Sequence, residues 1–418
     1  MNIWILNHYA IPPSMGGLVR HYYFSKYLQE KGHSVKIFTS GLIHNTQINM
    51  IQGSELYCER IIDEIEYTFV RSKTYHGNGL DRMLNMLDFP FQMWKTMKVF
   101  IKKAPPDIIY TSSPDLWVAF FALLFGKKYK RPVIMEVRDL WPESLIEYGT
   151  ISRHNPVAWL LSRMEKWTYM KSNHLIFLME GWREYFLKQG WEQQIDLAKV
   201  SHISNGVDLE EYDYNRQNFQ LKDLDLEDSS SFKVVYMGSI RLVNNLGTLI
   251  EAAKVLKQKE LMNIKILIYG DGTEKDNLEK ECQKHQLNVI FKGRVEKKYI
   301  PYILSKADVN LVSVKKSDIG AYGCSWNKLF EYMASGNPII SNAPMAYDLI
   351  KRYELGIVDS FETPEAYADA IIKTSGMTQE EYTRISEQGR KVAEEFDYKK
   401  LTEKLNHIFE QIYKTNFR

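Results

Sequence analysis

The chain has 418 residues, with 54 Lys and Arg against 52 Asp and Glu and a formal net charge of +2. That length exceeds what one core usually fills and calls for two domains, while the near-neutral balance excludes a field strong enough to make nucleic acid the main partner. Three scattered cysteines, Cys58, Cys282 and Cys324, suit neither a disulfide framework nor a zinc site and point to a reducing, cytoplasmic setting.

The N-terminal Met1-Asn-Ile-Trp-Ile-Leu-Asn7 is apolar, lacks a cationic leader and is too short for a signal core, so it reads as a buried first strand. No uncharged apolar stretch of about eighteen residues follows anywhere, which excludes a transmembrane helix on length. The strand leads through Pro12-Pro13 into Ser14-Met-Gly16-Gly17-Leu-Val-Arg20-His21 and a helix expected to end near Gly32. Small residues at such a turn let backbone approach a ligand, and the helix N-terminus offers free N–H groups to an anion; the same residues equally make a plain strand-to-helix turn. The dinucleotide spacing Gly-x-Gly-x-x-Gly is absent, so no nicotinamide or flavin cofactor is expected.

Short β-branched runs at 34–40, 107–112, 132–137 and 174–179 then alternate with helical ones, the rhythm of a parallel sheet covered by helices. Between them, Arg82 to Lys103 mixes aromatics, methionines and cations. It suits either core packing or a bilayer interface with Lys98, Lys102 and Lys103 against anionic lipid. Asp139 and Glu143, in Val137-Arg-Asp-Leu-Trp-Pro-Glu-Ser144, follow a strand end; a carboxylate there can serve as base or orient an acceptor hydroxyl, or Asp139 and Ser144 can merely cap the helix begun by Pro142.

Residues 210–231 are polar without helical or strand periodicity and read as a linker. Asp223-Leu-Asp225 within them lacks a preceding buried strand, so it is not taken as a metal site, and no His or Cys cluster has ligand spacing. The rhythm restarts at 232–237, 264–269, 289–291, 309–314 and 338–341. Gly238-Ser239-Ile-Arg241 puts a glycine at a strand end with a guanidinium three residues on, which suits a diphosphate or a solvated loop alike. Tyr269-Gly270-Asp271-Gly272 is a second such turn.

The most telling stretch is Lys328-Leu-Phe-Glu331-Tyr-Met-Ala-Ser-Gly336-Asn-Pro338: it sets one carboxylate in a helix that Gly336 and Pro338 must end, with Lys328 on the same face. Spacing alone fits an intrahelical ion pair as well as a binding site. About 380–414 reads as consecutive charged amphipathic helices.

Taken together these pieces resemble the family 4 glycosyltransferases of the GT-B fold, especially the fucosamine-transferase-like branch that builds bacterial surface polysaccharides. The resemblance rests on Asn7-x-Tyr9, Gly16-Gly17-x-x-Arg20, Gly32-His33-x-Val35, Ser112-Ser113-Pro114 and Asp139 to Ser144 in the first half. In the second it rests on Asn205-Gly-Val-Asp208, Gly238, Leu249-Ile-Glu-Ala252, Gly270-Asp-Gly272, Ala307-Asp308-Val309 and the Lys328 to Pro338 stretch. It implies an α/β fold of two Rossmann-like doubly wound parallel-sheet domains facing a central cleft. Residues 1–208 would form the acceptor-side domain, with the helix at 397–418 packing back on it, and 209–396 the nucleotide-sugar domain.

The resemblance also implies a retaining, metal-independent hexosyltransferase, needing no cofactor. Such an enzyme moves an N-acetylated or deoxy hexose from a uridine diphosphate-linked donor to a polyprenyl-diphosphate-linked saccharide, in capsule, O-antigen or exopolysaccharide synthesis, peripherally on the inner face of the plasma membrane. Glu331 would accept from the ribose diol, and Gly17, Gly238 and Arg241 would surround the diphosphate. The donor side would comprise Gly16, Gly17, Gly238, Ser239, Arg241, Gly270, Arg294, Val295, Gly323, Cys324, Asn327, Lys328 and Glu331, and the acceptor side Arg20 and His21.

Three departures stand out. Counted back from Leu249-Ile-Glu-Ala252, the family's usual diphosphate arginine falls on Ser239 and its usual lysine on Asn244, leaving Arg241 and Lys328 as stand-ins. The earlier acid of the usual Glu-x7-Glu pair falls on Gly323, so backbone amides of Gly323 and Cys324 would face the donor sugar. The family's catalytic-region histidine has no match; Asp139, with Glu143, takes its place. Rival readings are a nucleotide-sugar epimerase of the same fold and a non-catalytic sugar-nucleotide-binding scaffold.

Overall fold

The computed structural model describes all residues except 17, 45, 47, 76–79 and 418. Two compact units emerge: Met1–Ser204 with Tyr398–Arg418, and Asn205–Asp397. The division falls after Ser204, where the sequence reading put it after 208.

The first unit is built on one sheet of order β3-β4-β2-β1-β5-β6-β7-β8. Its strands are β1 Asn2–Leu6, β2 Ser34–Ser40, β3 Tyr57–Ile62, β4 Ile65–Val70, β5 Ile108–Ser112, β6 Val133–Val137, β7 His174–Phe177 and β8 Val200–His202. All pairings are parallel except the β3–β4 hairpin. From β1 the chain winds outward to β2 and β4, then returns to β5 on the other side of β1. The carboxyl ends of β1 and β5 therefore flank the switch point, where ligands of open α/β sheets settle. One face of the sheet packs Ile3, Ile5, Ile37 and Tyr110, with Tyr23 and Phe24 of the helix Arg20–Glu30, against Leu401, Leu405 and Phe409 of the C-terminal helix Tyr398–Phe417. Tyr398 stacks on Tyr23 with centroids 4.7 Å apart, and Phe409 meets Tyr110 edge-on at 5.5 Å.

The other face holds Trp4, Leu6 and Phe38 against Phe89, Met93, Met97 and Phe100 of the helix Leu80–Phe100. Each such side chain removed from water is worth about 1.5–3 kcal/mol. The helix buries that stripe and exposes another at the same period: Leu84, Leu87 and Phe91, then Lys95 and Lys98, with Lys102 and Lys103 just beyond its end. Core packing and an exposed apolar-to-cationic face thus coexist on one helix.

The second unit carries an all-parallel sheet of order β11-β10-β9-β12-β13-β14. Its strands are β9 Phe232–Met237, β10 Ile264–Tyr269, β11 Val289–Gly293, β12 Val309–Val312, β13 Ile339–Ser341 and β14 Gly356–Val358. The order reverses between β9 and β12, a second switch point.

Residues 210–231 correct the linker reading. They form the helices Leu209–Asn218 and Leu224–Glu227, the first capped by Asp208, whose Oδ1 accepts from the Glu211 amide at 2.9 Å. Leu209 and Tyr212 are buried in the unit's core, so two anchors hold a helix whose other residues are polar. Nor are Asp223 and Asp225 simply solvated: Lys292 reaches each at 2.6 Å, and Lys265 reaches Asp225 at 2.9 Å.

Candidate active site

At the switch point of the second unit, β9 ends in Gly238, whose φ of 150° lies in the region that glycine alone adopts with ease. A Cβ here would stand 2.8 Å from Lys328 Nζ and 3.0 Å from the Tyr236 hydroxyl. Behind it the turn after β10 closes in: Gly270 has φ 143°, and a Cβ on it would lie 1.8 Å from the Gly238 carbonyl oxygen. Glycine at both positions lets the two strand ends meet backbone to backbone.

Lys328, near the start of the helix Asn327–Ser335, is half-buried. Its Nζ sits 4.3 Å from the Tyr236 ring centroid and donates to the Tyr236 hydroxyl at 3.3 Å, which in turn donates to the Ser239 carbonyl at 2.8 Å. No carboxylate pairs with it among the described residues, and burial pulls its ammonium down to about 7. A cation desolvated without an anion, at the end of a central strand, is a site that an anionic ligand completes.

Glu331 lies one turn further along the same helix and is 19% exposed. The intrahelical pair that its spacing suggested is not the one formed. Lys328 turns to Tyr236, while Glu331 has Lys297 Nζ at 3.9 Å. Burial pushes the Glu331 carboxyl up, Lys297 opposes this and Glu211 adds to it. Gly336, with φ 78°, ends the helix as the sequence requires.

The remaining donor-side residues divide. Ser239 and Asn244, the positions counted as usually cationic, are joined to each other, Oγ to Oδ1 at 2.9 Å. Arg241 is exposed beside them, as is Arg294 beyond β11, while Val295 packs at the edge of the core and Asn327 is half-buried. Gly323 differs from expectation: its amide donates to the Gly320 carbonyl at 3.1 Å, closing the turn Asp318–Tyr322, so it is not free for a sugar. Half-buried Cys324 leads to Ser325, whose Oγ and carbonyl hold Asn205 at 2.7 and 2.6 Å.

In the first unit, Gly16 ends a 3-10 turn, where a Cβ would meet the Ile11 side chain at 2.5 Å; Gly17 lies outside the described residues. Arg20 and His21 require correction. Both are buried in the interior around Glu136 rather than offered to an acceptor. Arg20 Nε donates to Glu136 at 2.7 Å and its other nitrogens to the carbonyls of Ile203 and Ser204. His21 Nε2 lies 3.2 Å from the same carboxylate. Despite the cost of burial, the Arg20 and His21 partners hold the Glu136 carboxyl well below its ordinary range.

Glu143 is likewise committed, to Arg153 at 2.6 Å with Lys188 at 3.8 Å, which replaces its expected catalytic role with an ion pair. Asp139 is exposed at the end of β6, and it does not cap the following helix Glu143–Glu147. The Ser144 hydroxyl instead donates back to the Leu140 carbonyl at 2.9 Å.

Comparison with known proteins now adds to this geometry. Residues 220–392 match the family of glycosyl transferases group 1, and residues 15–211 match glycosyltransferase family 4. Each half thus matches a glycosyltransferase domain family. No curated protein matches the chain by sequence. Solved structures with the same fold include sucrose-phosphate synthase of Thermosynechococcus elongatus, at 14% identity over 99% of each chain and TM-score 0.71. HepE of Anabaena, in complex with UDP, is similar at 14% identity over 98% of this chain and 100% of that one, TM-score 0.67. WaaG, a glycosyltransferase involved in lipopolysaccharide biosynthesis, is similar at 15% identity over 97% and 99%, TM-score 0.66. The fold is GT-B in its two parallel-sheet α/β domains.

In the second unit, sequence reading missed Tyr236 and Lys297. Tyr236 carries a faint signal, an aromatic two residues before a strand-end glycine. Lys297 carries none, because it reaches Glu331 only through the fold. In the first unit, His8 and Asp115 stand 107 positions apart in the chain and 2.8 Å apart in space.

Proposed function

We propose that this chain is a retaining, metal-independent hexosyltransferase that takes an N-acetylated or deoxy hexose from a UDP-linked donor. The acceptor is a polyprenyl-diphosphate-linked saccharide of bacterial surface polysaccharide synthesis, met at the inner face of the plasma membrane. The observation that carries the reading is the half-buried, carboxylate-free Lys328 ammonium above Gly238 at the switch point of the second unit. A diphosphate supplies the missing anion, and charge on it as the glycosidic bond breaks is quenched by that fixed cation. Glu331, one turn along, offers two acceptor oxygens to a ribose diol. The UDP complex of HepE supports the donor class, and the lipopolysaccharide biosynthesis named for WaaG supports a surface-polysaccharide setting.

Membrane contact is supported by the outward stripe of the helix Leu80–Phe100, in which Leu84, Leu87 and Phe91 suit acyl chains and Lys95, Lys98, Lys102 and Lys103 suit anionic headgroups. Replacing Lys98, Lys102 and Lys103 by Glu releases the protein from anionic liposomes on this reading; unchanged cosedimentation would remove the contact. For the function as a whole, a thermal-shift panel of UDP, GDP and their sugars is the test. Uridine nucleotides raise the melting temperature by mass action, and a chain indifferent to all of them would not be such an enzyme.

A further inference from the structure

The sheet face that carries the helix Leu80–Phe100 in the first unit carries two more, Leu116–Tyr129 and Pro156–Lys171. Each of the three lies between parallel strands and takes the chain from the carboxyl-end edge of the sheet back to the start of the next strand. All three therefore run the same way. Aromatic rings seal the seams between them: Phe91 meets Phe121 with centroids 4.7 Å apart, and Phe120 meets Trp167 at 5.1 Å.

The middle helix is apolar from Leu116 to Gly126 on every side, a pattern that asks for cover on every side. Its inner side chains fill the core, yet Leu124 is exposed and Trp117, Phe120 and Phe121 are half-buried. Pro156–Lys171 adds Trp159 and Leu160 in its first turn, 63% and 49% exposed. Single exposed apolar side chains are ordinary, but three adjoining helices that expose them in their leading halves make a patch with a purpose.

Cations follow in the trailing halves. Lys127 and Lys128 end the middle helix, and Lys166 and Lys171 lie toward the end of the third, with exposed Met170 beside them. These repeat the order already seen in Leu80–Phe100, apolar first and basic last. Arg163 bridges the two rows, its guanidinium 5.4 Å from the Trp159 ring centroid. Leu116–Tyr129 contains no acid, and the single acid of Pro156–Lys171, Glu165, is buried and held by the Tyr169 and Tyr185 hydroxyls. A second copy of the chain would bring no acid from these two helices to pair the cations, whereas an anionic leaflet supplies acyl chains to one row and phosphates to the other.

Resting on the membrane contact put forward above, we propose that the outer faces of all three helices form one docking surface for an anionic lipid leaflet, entered at a tilt. The apolar row lies among the acyl chains and the basic row at the headgroups. Because the apolar row is the one nearer the carboxyl ends of the strands, the edge at which this sheet receives ligands is the edge brought down to the lipid. Trp159 and Arg163 sit at the boundary, where an amphipathic ring and a cation above it are both at home.

The test uses full-length protein, vesicles of equal parts phosphatidylglycerol and phosphatidylcholine, and the double variant Trp159→Ser with Leu160→Ser. The variant is expected to keep the wild-type melting curve and UDP affinity while its partitioning in cosedimentation falls on the order of tenfold. Phosphatidylcholine brominated on its acyl chains should quench the tryptophan emission of bound wild type, and bound Trp159→Phe should show a smaller quenched fraction. A folded double variant that partitions within about twofold of wild type overturns the three-helix surface. So does emission that acyl bromines leave untouched, a readout that needs no variant to fold. In either case, release by Glu at Lys98, Lys102 and Lys103 would leave the single-helix contact standing. A wild type that sediments as a dimer without vesicles, and as a monomer after the double substitution, assigns the face to a second copy and overturns the lipid assignment. Wild type that ignores the vesicles altogether overturns this surface together with the membrane contact beneath it, while the thermal-shift panel decides the donor site separately.

Discussion

Replacing Lys328 by Met keeps the side chain's apolar length and removes its ammonium, and it should move stability and ligand binding in opposite directions. The Lys328 ammonium falls from 10.5 to about 7 on folding, through burial. At about 1.4 kcal/mol per pH unit that is a cost of roughly 5 kcal/mol to the charged form, and on the order of 2–4 kcal/mol once remaining contact with water is allowed for. Ligand-free Lys328→Met should therefore be more stable than wild type at pH 7. Between pH 7 and 10.5 the unfolded chain keeps a proton that the folded chain has shed, so wild-type stability rises with pH through this residue and the gap between the two proteins narrows.

A diphosphate favours the ammonium, so UDP binding should draw in a proton and weaken by up to tenfold per pH unit above 7. In the variant the pH slope should vanish and UDP affinity fall by ~1.5–3 kcal/mol, the scale of a hydrogen bond to a charged group. Thermal denaturation with and without UDP from pH 6 to 9, with calorimetric affinities, measures all of this. A variant less stable than wild type at pH 7, or one that binds UDP equally well, would refute the reasoning.

Other expectations follow from the same geometry. Glu331→Ala should weaken UDP binding by about 1–3 kcal/mol in a folded protein, as titration calorimetry would read, whereas equal affinity would take Glu331 out of the ribose site. Glu136→Gln strands the buried Arg20 guanidinium and should cost ~3–5 kcal/mol in denaturant unfolding. Since the Glu136 carboxyl is held well below its ordinary value of 4.5, the wild-type contribution is present above about pH 4.5 and fades as pH falls further. Gly270→Ala forces a Cβ to 1.8 Å from the Gly238 carbonyl at φ 143°. Lost UDP binding or a failure to fold is expected there, and a wild-type melting curve with normal UDP binding would contradict the close packing of the two turns.

What could be read from the residues, and what could not, divides along physical lines. Apolar β-branched runs buried on both faces announce themselves, and β2, β9 and β10 begin and end where the residue pattern puts them. The β3–β4 hairpin does not: β3 exposes Glu59, Arg60 and Ile61 in succession instead of alternating, and its turn uses Asp63 and Glu64 at φ 48° and 66° where a glycine would have marked it. The helix at 209–218 looks like a linker because only Leu209 and Tyr212 anchor it, although Asp208 as its cap was visible.

For the site, Glu331 and Lys328 were legible because a helix that must stop at Gly336 fixes their place. Their partners Lys297 and Tyr236 come from other elements and so were not. Arg20 and His21 misled for the same reason, since nothing local shows that Glu136, 116 residues on from Arg20, takes up both.

The central claim is that a nucleoside diphosphate seats over Gly238 between Lys328 and Glu331. A crystal structure of the protein soaked with UDP tests it most directly. The account predicts a phosphate oxygen within hydrogen-bond distance of Lys328 Nζ and the ribose hydroxyls on the Glu331 carboxylate; UDP bound elsewhere, with Lys328 still turned only to Tyr236, would contradict it.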